Sequence, residues 1–132
     1  LSGHSDADAI AHAVIDAMLG AASAGNIGSH FPPDDDIWKG VDSMDLLERT
    51  RKIIEAKGFK VINIDVTVVC EKPKITPHAG AMRVRLGEVL QISPNCVSVK
   101  GKSNEGMGWI GSGEGLAVHS VALISQSEDS LD

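Results

Sequence analysis

A chain of 132 residues with a formal charge of −6 and 42% hydrophobic residues is the size of one domain, residues 1–132, built on one core. That acidic balance excludes a general nucleic-acid binder, which needs a basic face, so an anionic ligand must be held by local donors and metal. The longest apolar stretch, Ala9 to Ala24, carries His12 and Asp16 and is too short and polar to span a bilayer.

No secretory leader is visible, and Cys70 and Cys96 make neither a CxxC pair nor a disulfide framework, so both are read as reduced thiols. The chain opens on Leu1-Ser2-Gly3-His4 without a methionine and with nothing ahead to position its histidines. Upstream sequence, a partner subunit or both are expected to complete it.

The first helix is expected to start with Ser5 or Asp6 as cap and to run to about Ser23, stopped by Gly25. At 100° per residue, Asp8, His12 and Asp16 share one stripe, while Ile10, Val14, Ala17 and Ala21 form the opposite one. Ile15 and Leu19 lie beside His12, which predicts a helix buried on both sides and a buried Asp–His–Asp row needing partners. Residues 25–42 form a long irregular stretch in which Phe31, Ile37 and Trp38 predict a docked, lid-like loop.

A second helix, capped by Asp42 or Ser43, buries Met44, Leu47, Ile53 and Ile54, pairs Glu48 with Lys52, and ends at Gly58. From Phe59 to Glu71 alternation predicts a strand with Ile62, Ile64, Val66, Val68 and Cys70 on one face. A prolyl turn leads to a third helix from His78 to about Leu90. Strands at Cys96–Lys102 and Leu116–Ile124 follow, separated by a glycine-rich segment, and Gln126 to Asp132 reads as a frayed acidic tail. The order α-α-β-α-β-β implies an α/β, α+β-like mixed sheet with helices on one face. A strand upstream of Leu1 would make it β-α-α-β-α-β-β.

Three segments carry chemistry. The first runs from His4, Ser5 and Asp6 to His12. A catalytic zinc wants three protein ligands and an open position, and here His12, with Asp8 or Asp16 to orient it, supplies part of such a site. The second, Lys100 to Gly108, places two lysines, a hydroxyl, an amide and Glu105 at a strand end, a set suited to phosphate oxygens and a hard cation. On pattern alone a glycine hairpin with surface lysines fits as well. The third, Cys70 to His78, could offer main-chain groups to a base, although a rigid strand–helix turn is the plainer reading.

Taken together, these segments resemble the 2-C-methyl-D-erythritol 2,4-cyclodiphosphate synthases of the non-mevalonate isoprenoid pathway. The likeness runs from His4-Ser5-Asp6-x-Asp8-xxx-His12-xxx-Asp16 through Gly25-x-Ile27-Gly28-xx-Phe31-Pro32 and Ile64-Asp65-Val66-Thr67. It continues through Lys72-Pro73-Lys74-xx-Pro77-His78-xxx-Met82-Arg83, Val99-Lys100, Glu105-Gly106-x-Gly108 and Gly113-Glu114-Gly115.

The resemblance implies a homotrimer with sites between subunits, a zinc ion and a second divalent ion, Mg2+ or Mn2+. It implies a cyclising phosphorus–oxygen lyase in a bacterial cytoplasm or a plastid-type organelle, with CMP as the leaving group and no nucleic-acid or membrane partner. By position, His12 matches a zinc ligand and Glu105 the carboxylate near the second ion. His4 and Ser103 match the residues that stabilise the transition state, and Ser5 holds the erythritol phosphate end. Cys70, Glu71, Lys72, Pro73, Lys74, Ile75 and Thr76, joined by Gly101, Lys102 and Ser103, match the cytidine and diphosphate pocket. Asn26, Ile27 and Gly28, with Phe31, Pro32, Pro33, Asp34 and Asp35, match ribose and erythritol contacts. Asn104, Trp109 and Ser112 complete the expected substrate contacts.

The family's other zinc ligands, an Asp-x-His on a first strand, would fall upstream of Leu1. Asn26 stands for the usual Asp, Ser103 for the usual Thr, and Ser112 for an Arg that in many relatives faces a cavity on the trimer axis. No isoprenyl diphosphate is therefore expected there. Two other classes stay open at this point: a non-catalytic CDP- or CMP-binding trimer, and a metal-dependent phosphoesterase releasing inorganic phosphate.

Overall fold

The computed structural model describes residues 3–71, 76–103, 105, 107–108 and 115–127, without the side chains of residues 3–5, 76 and 77. Helix α1 spans Gly3–Ala21. Its apolar positions recur at helical spacing, and Ile10, Ala11, Val14, Ile15, Met18, Leu19 and Ala22 are all buried. The opposite face is open: His12, Asp16 and Ala21 are exposed, and Asp8 is half-buried. The expected double-sided burial of α1 is therefore incorrect; one stripe satisfies the core, and the polar row looks outward.

Both ends of α1 also differ from expectation. It begins before Ser5 and Asp6, which lie in its first turn. At the other end Ala24 N–H reaches Leu19 O at 2.8 Å and Ser23 N–H reaches Gly20 O at 3.1 Å, with Ser23 at φ 52°. That is a Schellman close on a serine, so the stop comes two residues before Gly25.

A short helix α2 (Ile27–His30) and a 3-10 turn (Asp36–Trp38) break up the stretch expected to be irregular. Helix α3 (Ser43–Ala56) starts as the sequence indicates, with the Asp42 carboxylate accepting Met44 N–H at 2.9 Å, and closes on Gly58 at φ 87°. Met44, Leu47 and Ile54 are buried, Ile53 half so. No ion pair joins Glu48 to Lys52 among the described residues. Arg51, a buried residue the periodicity had not marked, takes Glu55 at 2.7 Å and Glu48 at 3.7 Å, while its Nε donates to Val89 O at 3.0 Å.

Strand β1 (Phe59–Val69) is central, pairing in parallel with β2 (Val97–Lys102) and antiparallel with β3 (Ala117–Gln126). Helix α4 (Thr76–Leu90) makes the crossover that a parallel pair requires. The sheet is mixed, as expected. Ile64, Val66, Val68, Val97 and Val99 face the helices and are buried. Helix α1 lies over β3 and β1, α4 over β2, and α3 packs on α1, β1 and α4.

Ile62 is 39% exposed, contrary to the alternation expected from Phe59 to Glu71. A register irregularity between Val61 and Asn63 inserts one extra residue, so Val61 replaces Ile62 in the core while Ile64, Val66 and Val68 keep their place. The other face of the sheet carries Val121 and Leu123, 69% and 59% exposed, beside a Lys100–Asp65 ion pair of 2.9 Å.

Two outcomes are expected from these contacts. Arg51→Ala strips the Val89 carbonyl of its donor and empties the α3–α4 seam, lowering unfolding free energy by about 2–3 kcal/mol, measured by urea denaturation. Hydrogen bonding from Lys100, then from Ser98, with the Lys100 charge adding to them, holds the Asp65 carboxyl below its usual value of 3.8. A lowered carboxylate pKa adds stability that is complete above the unfolded value and lost as pH falls through the folded one. Asp65→Asn should therefore flatten the stability profile below about pH 4, as seen in thermal melts across pH 2–6.

Candidate functional site

The outward row of α1 divides its roles. The Ser43 hydroxyl, at the first turn of α3, donates to the Asp8 carboxylate. Ile27 N–H, at the first turn of α2, donates to Asp16 Oδ1 at 2.7 Å. Between them His12 is exposed and makes no hydrogen bond among the described residues. The two carboxylates fasten neighbouring segments to α1, and the imidazole is left for a ligand.

The segment they fasten is itself tightly built. Asn26 Oδ1 accepts Ser29 N–H at 2.9 Å, and Ser29 Oγ accepts Asn26 N–H at 3.0 Å, a reciprocal capping box. Gly25, at φ 92°, leaves room for that serine: a Cβ there would lie 2.6 Å from Ser29 Oγ. His30 Nε2 donates to Ala24 O at 2.6 Å, which sets its tautomer. Phe31 is buried and meets Trp38 edge-on at 4.9 Å, and the Arg49 guanidinium lies over the Trp38 ring at 5.3 Å. The expected docking thus runs through Phe31 and Trp38, while Ile37 is 63% exposed and holds nothing down.

These elements enclose a pocket of about 540 Å³. Ile27, Phe31, Trp38, Val41 and Leu46 supply apolar wall, with Asp8, His12, Lys39 and Ser43 as the polar groups. An apolar body with an anionic end suits it, the anion meeting Lys39 and His12. Of the expected contacts the pocket gathers His12, Ile27, Gly28, Phe31 and Pro33. Asn26 and Asp35 instead use their side-chain oxygens as caps, Asp35 accepting Ile37 N–H at 3.2 Å. Ser43 and Leu46 were not singled out as site residues, because nothing in the sequence says which face of α3 turns toward α1, and Lys39, just past the 3-10 turn, carries no pattern that marks it.

A second group sits where β1 and β2 end. Cys70 is buried in the core, on the strand face where the alternation puts it, and its N–H donates to Lys102 O at 2.9 Å. Beyond it stand Glu71, Lys102, Ser103 and Glu105. The expectations for His4, Ser5 and Thr76 fall on residues whose side chains lie outside the described set. Those for Lys72, Pro73, Lys74, Ile75, Asn104, Trp109 and Ser112 fall on residues outside it altogether.

Among the described residues no three of His, Cys, Asp and Glu converge on a point that a metal ion could occupy. Neither Asp8 nor Asp16, the expected orienting carboxylates, hydrogen-bonds His12. The described side chains therefore offer one imidazole and do not by themselves form a closed metal site.

A model of the YgbB family matches residues 1–125. The chain belongs to the YgbB family. It is 51% identical over 125 residues to the 2-C-methyl-D-erythritol 2,4-cyclodiphosphate synthase of Symbiobacterium thermophilum, covering 95% of this chain and 80% of that protein. The bifunctional enzyme IspD/IspF of Hyphomonas neptunium is 51% identical over 124 residues, which are 94% of this chain but 33% of that protein. The chain thus spans about a third of the bifunctional YgbB relatives it matches.

Among solved YgbB-type structures, bifunctional IspDF from Campylobacter jejuni superposes with a TM-score of 0.85 at 34% identity, over 90% of this chain and 32% of that one. The CDP complex of IspF from Plasmodium falciparum gives 0.78 at 28% identity, over 91% and 72%. The expected family is borne out, and with relatives named as synthases matching 95% of its length the chain is an enzyme. No described helix is long and apolar enough to cross a membrane.

If Asp16 secures the pocket segment, Asp16→Ala should speed amide exchange at Ile27 about tenfold, the equivalent of one hydrogen bond, with Met18 and Leu19 unchanged by NMR.

Proposed function

We propose that this protein closes a ring within a CDP-linked substrate. In 4-diphosphocytidyl-2-C-methyl-D-erythritol 2-phosphate, an oxygen of the 2-phosphate attacks the β-phosphorus of the diphosphate. The β-phosphorus–oxygen bond to the α-phosphate breaks, CMP leaves with that oxygen, and 2-C-methyl-D-erythritol 2,4-cyclodiphosphate remains. One phosphorus–oxygen bond forms and one breaks in a single molecule, with no water consumed. This is the chemistry of a phosphorus–oxygen lyase, and it serves non-mevalonate isoprenoid synthesis. The supporting observation is the 51% identity across 95% of the chain to a protein named for that synthesis.

Such a reaction asks the protein mainly to position two ends of one molecule and to offset their charge. In this reading the pocket between α1, α2 and α3 holds the branched erythritol body on Ile27, Phe31 and Leu46, with Lys39 near its phosphate. His12 is assigned to a zinc ion and Glu105 to Mg2+ or Mn2+, with the remaining ligands coming from outside the described residues. When bound, such cations neutralise charge on the diphosphate. The strand-end group around Ser103, with Lys74 and His4, is assigned to the diphosphate and cytidine. A homotrimer with sites shared between subunits in a bacterial cytoplasm belongs to the same proposal, and the exposed Val121 and Leu123 supply an apolar surface for it. A non-catalytic CDP- or CMP-binding trimer is less well supported, since a relative named as a synthase matches 95% of the chain.

Incubation with the CDP-linked substrate, followed by phosphorus NMR, should yield CMP and cyclic diphosphate in equal amounts. Inorganic phosphate would mark a phosphoesterase, and tight CDP binding without turnover a binding protein. His12→Ala should lose zinc and at least about 100-fold in kcat/KM, with CMP affinity held within about twofold. Equal loss of CMP affinity would contradict the role given to His12.

A further inference from the structure

The parallel ladder of β1 and β2 continues past both strands. Val69 pairs with Lys102, and Cys70 N–H donates to Lys102 O at 2.9 Å. Just beyond that last pair the Ser103 hydroxyl donates to Glu71 Oε2 at 3.2 Å, Glu71 lying one residue past the position opposite Ser103. Ser103 Oγ in turn accepts Glu105 N–H at 3.0 Å, a serine turn that holds Glu105 at φ 58°. A left-handed backbone at a residue other than glycine persists only when its surroundings hold it.

Serine brings little stiffness of its own. Without a β-branch its χ1 samples all three staggered wells, so an outside partner must choose one. A hydroxyl has one proton and two lone pairs. Here the proton points to Glu71, one lone pair takes Glu105 N–H, and one lone pair is left over.

We infer that Glu71 is a positioning residue: its carboxylate selects the Ser103 rotamer and, through that hydroxyl, aims the turn carrying Glu105. The inference rests on the proposed function, in which Ser103 and Glu105 serve the diphosphate. It reassigns the Glu71 side chain, which the family resemblance places among the nucleotide contacts. A carboxylate turned along the sheet end toward Ser103 sets the geometry of the reacting end and contributes little to recognition of the base.

The test measures kcat, KM and CDP affinity by calorimetry on the intact protein. Glu71→Ala should lower kcat roughly tenfold, the rate equivalent of one hydrogen bond, with KM and CDP affinity within about twofold. Glu71→Gln, whose amide oxygen still accepts the serine proton, should recover to within about threefold of the parent. Adding Ser103→Thr to Glu71→Ala should restore part of the loss, because the β-branch limits χ1 from within. If Glu71→Ala fails to fold, Glu71→Met keeps the length without an acceptor and is read the same way. An unchanged kcat, a tenfold loss of CDP affinity, or no recovery in either Glu71→Gln or the double variant would overturn the inference. Absence of CMP formation by the parent protein would instead refute the proposed function, so the two failures are distinguishable.

Discussion

Helix α1 gives one stripe to the core, and that division of its surface organises this molecule. Once Ile10, Val14, Ile15, Met18 and Leu19 are turned inward, Asp8, His12 and Asp16 must emerge together on the outer side. Two of the three then act as anchors, Asp8 for the start of α3 and Asp16 for the start of α2. The pocket exists because those anchors bring the 25–41 segment back across α1. His12 is available because its neighbours at i−4 and i+4 are engaged elsewhere.

The same economy of placement holds at the sheet. Parallel pairing of β1 with β2 needs a crossover, and α4 provides it. The ladder then delivers Glu71 and Ser103 to one end at a separation backbone geometry dictates. Neither residue needs long-range packing to find the other. What varies is only the side-chain torsion, and a hydrogen bond suffices to choose it.

Much of this was legible in the residues. The caps at Asp42 and Gly58, the mixed sheet and the docking of Phe31 follow from local chemistry, while the linear motif set is legible only through its resemblance to a known family. The misses have identifiable causes. Ser23 closes α1 because backbone hydrogen bonds to Leu19 and Gly20 compensate for a left-handed serine, which glycine-seeking rules pass over. Arg51 reads as a surface cation on its own helix, and only the approach of Val89 from α4 buries it. In each case the deciding partner lies on another element or on the backbone, where a one-dimensional pattern carries no trace of it.

The irregularity at Ile62 has a consequence for how the chain can change length. It is a slack residue: losing it would shorten the strand by one and leave Ile64, Val66 and Val68 facing the helices. Losing one residue anywhere from 64 to 68 would instead rotate the strand on one side of the gap by half a turn and put its aliphatic set in water. Insertions and deletions in related chains should therefore cluster at this one point of an otherwise length-locked strand.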